Sequence, residues 1–409
     1  MKPRVLLLTH RVPYPPDRGD RIRCWHLLQQ LAKSADVSLA ATADEPIAPE
    51  TRDKLDFHCE QVCLVRLPRW KRLSAAAAAL TTGTSISEAA FHSRALAGVI
   101  DNWHRQNAFD AVVVYCSSMF PYVERWSDVP KLVDLIDVDS AKWQSYAESA
   151  GIVKRRLFAR EAKLVARLER RIVASEAAIA LTTAREASLL RRSCPQAEPL
   201  VVTNGVDCDY FRTRQPSTPG RIVFTGVLNY HPNMQGILWF VQQVWPRLLQ
   251  ACPSMTLEIV GRSPTAAIRR LNGKSNIAVV ADVPDVRPYL AQAEIIIAPL
   301  HIARGIQNKA LEAMAMQRAV VVSPAVASGL SAKPREHFLV ADDAPQWVEQ
   351  LTKLHRHEEL RDRIAAQARR YVETHHHWTT CLAPITRWLE AATASAAVRN
   401  QPTGSLSCP

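Results

Sequence analysis

Short apolar runs alternate with longer stretches of helical period along nearly the whole chain. In the first half Arg4–Thr9, Val37–Ala41, Val62–Leu67, Ala111–Tyr115, Lys131–Ile136 and Ala177–Thr182 read as strands. In the second half Arg221–Thr225, Thr256–Val260, Ile277–Ala281, Ile295–Ala298 and Ala319–Ser323 do so. Between them Asp20–Ala32, Arg94–Gln106, Gln235–Cys252 and Gln307–Met316 carry apolar residues at the spacing of a helix packed by one face. Strands separated by helices build parallel sheets, because a parallel neighbour needs a crossover connection. The pattern therefore predicts an α/β fold of parallel sheets flanked by helices. It runs twice, and 409 residues exceed one ordinary core. Two domains are expected, with the proline-rich, small-polar Gln215–Gly220 as linker. The Ala, Ser, Gly and Pro content after Thr393 predicts a flexible tail over 394–409.

A hydrophobic content of 47% against 22% charged residues is that of a folded globular chain and excludes a disordered one. No apolar run reaches the roughly 18 residues of a membrane span. The run Val5–Leu8 is too short for a signal peptide core, so a cytoplasmic location is expected. The nine cysteines form no CxxC pair, which argues for reduced thiols and against a zinc site. The net charge of +12 points to an anionic partner. It is concentrated at Arg66–Arg72 and in the helical segment Lys154–Arg171, where eight cations stand against Glu161 and Glu169, with Leu157, Phe158, Leu164, Val165 and Leu168 as an apolar stripe. That segment is either a solvated helix or a surface for an anionic membrane. Nucleic acid is not expected as a partner: Trp70 is the only aromatic in its basic cluster, and no stacking surface interleaves the charges.

Ligands of open parallel sheets bind beyond the carboxyl ends of the strands, so the loops there carry the candidate chemistry. After the first strand, Gly19 opens a helix whose N–H groups can receive a phosphate; a simple tight turn is the alternative. After Ile295–Ala298 comes a loop with Arg304, then Gln307, Asn308, Lys309 and a helix that buries Leu311, Met314 and Ala315. Glu312 falls off that buried face, where its carboxylate can accept hydrogen bonds from a ribose diol, or can simply complement the helix dipole. Arg304 and Lys309 are placed to hold a diphosphate, or are surface charges.

The segment from Pro299–Leu300 through Leu311–Ala315 to Ala319–Ser323 resembles the donor-site signature of glycosyltransferase family 4, the group 1 enzymes of the GT-B fold. Thr203–Asp207 followed by Tyr210–Phe211 resembles that family's NGVD turn, Phe224–Gly226 its second-domain first strand, and Ile259–Gly261 its VG turn. Gly305–Lys309 and Asp137–Trp143 are most similar to sugar transferases of PEP-CTERM/exosortase-associated exopolysaccharide loci. The resemblance implies two facing Rossmann-like domains with the active site in the cleft between them: an acceptor-side domain over 1–200, a nucleotide-sugar domain over 201–377, and a helix over about 378–393 crossing back onto the first. Trp388, Leu389 and Ala392 are expected as the buried stripe of that helix.

The implied reaction is transfer of a sugar, with retention, from a nucleotide diphosphate to the hydroxyl of a glycan or lipid-linked acceptor, at the inner face of the cell membrane. No metal or other cofactor is implied. Arg304 and Lys309 would stabilise the departing diphosphate, Gly19, Arg262, Gln307, Asn308 and Glu312 would bind substrate, and Asp137 would act on the acceptor side or fix its own loop. Two departures stand out. The family's first glutamate falls on Arg304, and its Arg and Lys after the second-domain first strand are missing from Gly226–Asn233. A GT-B-shaped nucleotide-sugar epimerase and a noncatalytic nucleotide-sugar-binding module remain alternatives.

Overall fold

The computed structural model describes residues 2–106, 109–303 and 305–399, so Arg304 and positions 400–409 of the expected tail lie outside the described residues. The chain forms two compact units. One runs to Val202 and resumes at Leu382; the other is Thr203–Cys381.

In the first unit the strands are β1 (Arg4–Thr9), β2 (Asp36–Ala43), β3 (Gln61–Arg66), β4 (Ala111–Tyr115), β5 (Lys131–Ile136), β6 (Ala178–Leu181) and β7 (Leu200–Val201). They form one parallel sheet in the order β3-β2-β1-β4-β5-β6-β7. The second unit holds β8 (Arg221–Val227), β9 (Thr256–Arg262), β10 (Ile277–Ala281), β11 (Ile295–Ala298), β12 (Ala319–Val322) and β13 (Leu339–Val340). Its sheet is also parallel, in the order β10-β9-β8-β11-β12-β13. Central strands such as Val5–Leu8, Val112–Val114 and Ile295–Ala298 are buried throughout, because helices cover both faces of a parallel sheet. That is why they read as continuous apolar runs rather than alternating ones. In each sheet the chain order reverses once, between β1 and β4 and between β8 and β11. At such a switch point the connections leave on opposite faces and open a crevice at the carboxyl ends.

Several expectations need correction. Gln215–Gly220 is not a linker but part of the second unit: Arg318 donates to the carbonyl of Gln215 at 2.6 Å, Thr218 N–H to that of Gln292 at 2.9 Å, and Gly220 N–H to Glu294 at 2.5 Å. Its prolines shape an anchored lead-in to β8. The Gln235–Cys252 stretch starts earlier, at His231, and passes through a π-helical turn at Phe240–Val244. The last helix runs Trp378–Arg399, past Thr393; in the first unit it buries Leu382, Ile385 and the expected Leu389, while Trp388 and Ala392 are only half-buried.

The basic helix spans Ile152–Ala174, and its two acids are not surface charges. Glu161 and Glu169, each 1% exposed, lie on the buried face. Glu161 accepts the N–H groups of Ile86 and Ser87 at 2.8 and 2.9 Å, at the start of the helix Ile86–Phe91. Glu169 accepts the N–H of Ser140 at 3.0 Å, at the start of the helix Asp139–Ser149. Buried acids are tolerated there because the first-turn N–H groups of a helix lack intrahelical partners. The exposed apolar residues are instead Ile152, Val153 and Leu157 at the front of the helix.

Candidate functional site

The most developed site of the second unit stands at the switch point between β8 and β11. The helix Asn308–Ala315 packs Ala310, Leu311, Ala313, Met314 and Ala315 inward and leaves Asn308, Lys309 and Glu312 half-buried. The residue before it, Gln307, makes no side-chain cap bond, so the first-turn N–H groups are not consumed by one. Asn308 is tied down: its side-chain oxygen accepts from Asn204 at 3.0 Å, and the Asn204 carbonyl meets the His376 ring at 2.7 Å.

Glycines let the neighbouring backbone close in. Gly226 and Gly261, the penultimate residues of β8 and β9, lie opposite each other in register, and a Cβ on Gly261 would overlap the carbonyl of Gly226. A Cβ on Gly236 would likewise overlap the carbonyl of Pro299, so glycine lets the helix His231–Trp239 lie against the end of β11. Arg262 is the last residue of β9, half-buried and paired in register with Val227.

Lys309 reaches into this crevice. Its Nζ donates to Asn233 Oδ1 at 2.7 Å and lies 4.3 Å from the ring centroid of buried Phe224. Burial pulls the Lys309 ammonium down to about 7, against the favourable charge of Glu312. Burial also pushes the Glu312 carboxyl up to about 7, against the favourable charge of Lys309. Two opposite groups one turn apart are thus both poised near neutrality, because burial disfavours the charged form of each. A bound diphosphate would favour the charged amine, and a diol would favour the charged carboxylate.

Gly19 and Asp137 belong to the first unit. Gly19 opens the helix Gly19–Ser34 at the carboxyl end of β1, and the cap residue, Arg18, makes no side-chain cap bond. Beside it Arg11 bridges Asp20 at 2.6 Å and Asp44 at 2.9 Å, while Arg18, Arg21 and Arg72 also approach Asp44. Asp137 directly follows β5. Its Oδ1 accepts from Thr182 at 2.9 Å, and burial, with the charge of Glu186, pushes its carboxyl up to about 6. Sequence reasoning assigned nothing to His10. It stacks on Tyr115 with ring centroids 5.8 Å apart and lies 3.5 Å from Asp20; burial lowers its pKa below the ordinary histidine value, against the hydrogen bond to Asp20. Nor does the sequence single out Asn233, because an asparagine in the first turn of a helix carries no signal until a lysine from another element reaches it.

Solved structures with the same pair of parallel sheets are numerous, and the likeness extends over nearly the full chain. The Anabaena protein Alr3699/HepE, solved in complex with UDP, superposes with a TM-score of 0.67 at 13% identity, covering 96% of this chain and 100% of that one. Sucrose-phosphate synthase from Thermosynechococcus elongatus gives a TM-score of 0.71 at 15% identity, with 97% and 100% covered. WaaG, a glycosyltransferase involved in lipopolysaccharide biosynthesis, gives 0.63 at 16%, with 95% and 99% covered. The chain has the GT-B fold. Within this GT-B chain, residues 219–357 match the family model of glycosyl transferases, group 1, a segment containing the β8/β11 crevice and the Lys309 helix. No curated protein matches the sequence.

Proposed function

We propose that this GT-B protein is a glycosyltransferase that moves a sugar, with retention, from a nucleotide diphosphate to an acceptor hydroxyl in the synthesis of an exopolysaccharide or other cell-surface glycan. The observation that carries the reading is the half-buried Lys309–Glu312 pair on one helix at the switch point between β8 and β11, where burial pulls the ammonium down and pushes the carboxyl up. Glu312 holds the donor ribose; Lys309, with Arg304 and Arg262, holds the diphosphate and stabilises it as it departs. Gln307, Asn308 and Gly19 contribute binding, the last through the N–H groups of its helix. Asp137 acts on the acceptor side, where a carboxyl raised to about 6 can exchange a proton near neutral pH. The donor is a nucleotide sugar; UDP-glucose, bound in a crystal of Alr3699/HepE, is the first to try. No metal or other cofactor takes part in the proposed reaction.

The acceptor is a lipid-linked glycan reached at the cytoplasmic face of the membrane, to which the protein attaches peripherally. No helix among the described residues is long and apolar enough to span it. What supports attachment is the front of the basic helix, where Ile152 and Val153 are 78% and 84% exposed beside exposed Lys154, Arg155 and Arg156. Arg160 on the same helix donates to the Thr82 carbonyl at 2.7 Å and to that of Ala79, which ends the helix Arg69–Ala79 bearing exposed Trp70 and Leu73. Apolar side chains between cations suit an anionic bilayer surface.

The deciding experiment is a thermal-shift screen of nucleotide sugars followed by a transfer assay with the ligand that binds. Release of nucleotide diphosphate dependent on an added glycan acceptor supports the transferase. Interconversion of the donor sugar without acceptor, or binding without consumption, overturns it.

A further inference from the structure

We propose that Asn233 is the positioning residue for Lys309. The inference rests on the reading of Lys309 as a donor-phosphate ligand. Asn233 is 6% exposed and uses both ends of its amide. Its Nδ2 donates to the Val227 carbonyl at 2.9 Å, which fixes the flip, so that Oδ1 faces the Lys309 ammonium at 2.7 Å. The floor of the same space is the Phe224 ring. Its wall is Gly226, where a Cβ would stand 2.8 Å from Asn233 Nδ2 and 3.0 Å from Lys309 Nζ. A lysine otherwise has a flexible four-carbon stem and a point charge with no preferred direction. Here a neutral acceptor, an aromatic face and a missing side chain confine it to one place.

The neutrality of the anchor matters. A carboxylate at 233 would neutralise the ammonium and compete with a diphosphate, whereas an amide oxygen accepts one N–H and leaves the charge, and the other two donors, for the ligand. Asn233 thus holds Lys309 ready without quenching it, and contributes no charge of its own.

The test uses the full-length protein, ε-13C-labelled on lysine, with inorganic pyrophosphate as probe. The Lys309 signal is the one lost in Lys309→Met. Asn233→Leu should weaken pyrophosphate binding about tenfold, the effect of one lost hydrogen bond to a charged group, and should have no further effect in a Lys309→Met background. Asn233→Asp, which keeps the acceptor, should move the Lys309 titration upward. Equal losses from Asn233→Leu with and without Lys309, or an unmoved Lys309 titration in Asn233→Asp, would overturn the positioning role. If Lys309→Met itself leaves pyrophosphate binding unchanged, it is the phosphate role of Lys309 that fails, and this inference falls with it.

Discussion

Arg23 and Asp134 form a bidentate ion pair in the interior of the first unit, Nε to Oδ2 at 2.8 Å and Nη2 to Oδ1 at 3.1 Å, with side chains 1% and 0% exposed. The remaining Nη1 donates to the Val202 carbonyl at 2.9 Å, so one guanidinium joins the helix after β1, the strand β5 and the last residue of the unit before the chain leaves it. Removing one partner strands a buried charge. Arg23→Met should therefore cost about 3–5 kcal/mol, while Arg23→Met with Asp134→Leu should recover much of it. Amide hydrogen exchange in β1, β4 and β5 reads the first unit alone. Equal protection in single and double variants would contradict the account.

The Lys309–Glu312 pair should leave a mark on stability against pH. Glu312 is raised in the folded state, so between the ordinary carboxyl range and about 7 the folded protein holds the extra proton and stability falls as pH rises. Lys309 is lowered, so between about 7 and the ordinary lysine range the unfolded chain holds the extra proton and stability rises with pH. The pair's contribution is least favourable near pH 7. Replacing both, as Lys309→Met with Glu312→Gln, should flatten that trough in denaturant titrations of the ligand-free protein.

Donor affinity should show the opposite shape. In the proposed roles the ribose needs an ionised Glu312 and the diphosphate a protonated Lys309, so binding should be strongest near neutrality and fall on both sides. Calorimetry with a nucleotide sugar, whose diphosphate diester does not titrate in this range, should show the alkaline fall vanish in Lys309→Met. The acid limb of that variant should move to higher pH, since the amine no longer helps ionise Glu312.

If Glu312 holds the donor ribose, Glu312→Gln at neutral pH exchanges charge-assisted hydrogen bonds for ordinary ones and should weaken donor binding about tenfold. Arg304→Ala should lower turnover more than affinity if the arginine meets charge that grows as the diphosphate leaves. Unchanged donor binding in Glu312→Gln would remove the ribose role.

Asp137→Asn should lower kcat by about 100-fold or more with donor affinity intact, the effect of losing a proton-exchanging group. The amide can still accept from Thr182, so a residue that only anchors its loop would leave kcat nearly unchanged.

Ile152→Asp with Val153→Asp should reduce sedimentation with anionic liposomes at low salt, because it replaces the exposed apolar tip with charge of the lipid's own sign. Indifference of the native protein to anionic lipid would sink the membrane proposal.

The strands and their parallel arrangement were legible from the sequence because central parallel strands are buried on both faces and so appear as unbroken apolar runs, as at Ala111–Tyr115 and Ile295–Ala298. The inward face of the Lys309 helix was legible for a similar reason: Leu311, Met314 and Ala315 mark it at helical spacing and leave Glu312 aside. The two-residue strands β7 and β13 are too short to show any period. Tertiary structure alone decided which polar residues are interior. Arg23, Asp134, Glu161 and Glu169 have the composition of a surface, and they are buried because each meets a partner far along the chain, a guanidinium, a carboxylate or the open end of a helix. The same holds for Asn233 and Lys309, whose 2.7 Å contact spans 76 positions. Periodicity records what a segment does with its own faces; it carries no information about which distant group arrives to satisfy a charge, and that arrival sets the chemistry of the site.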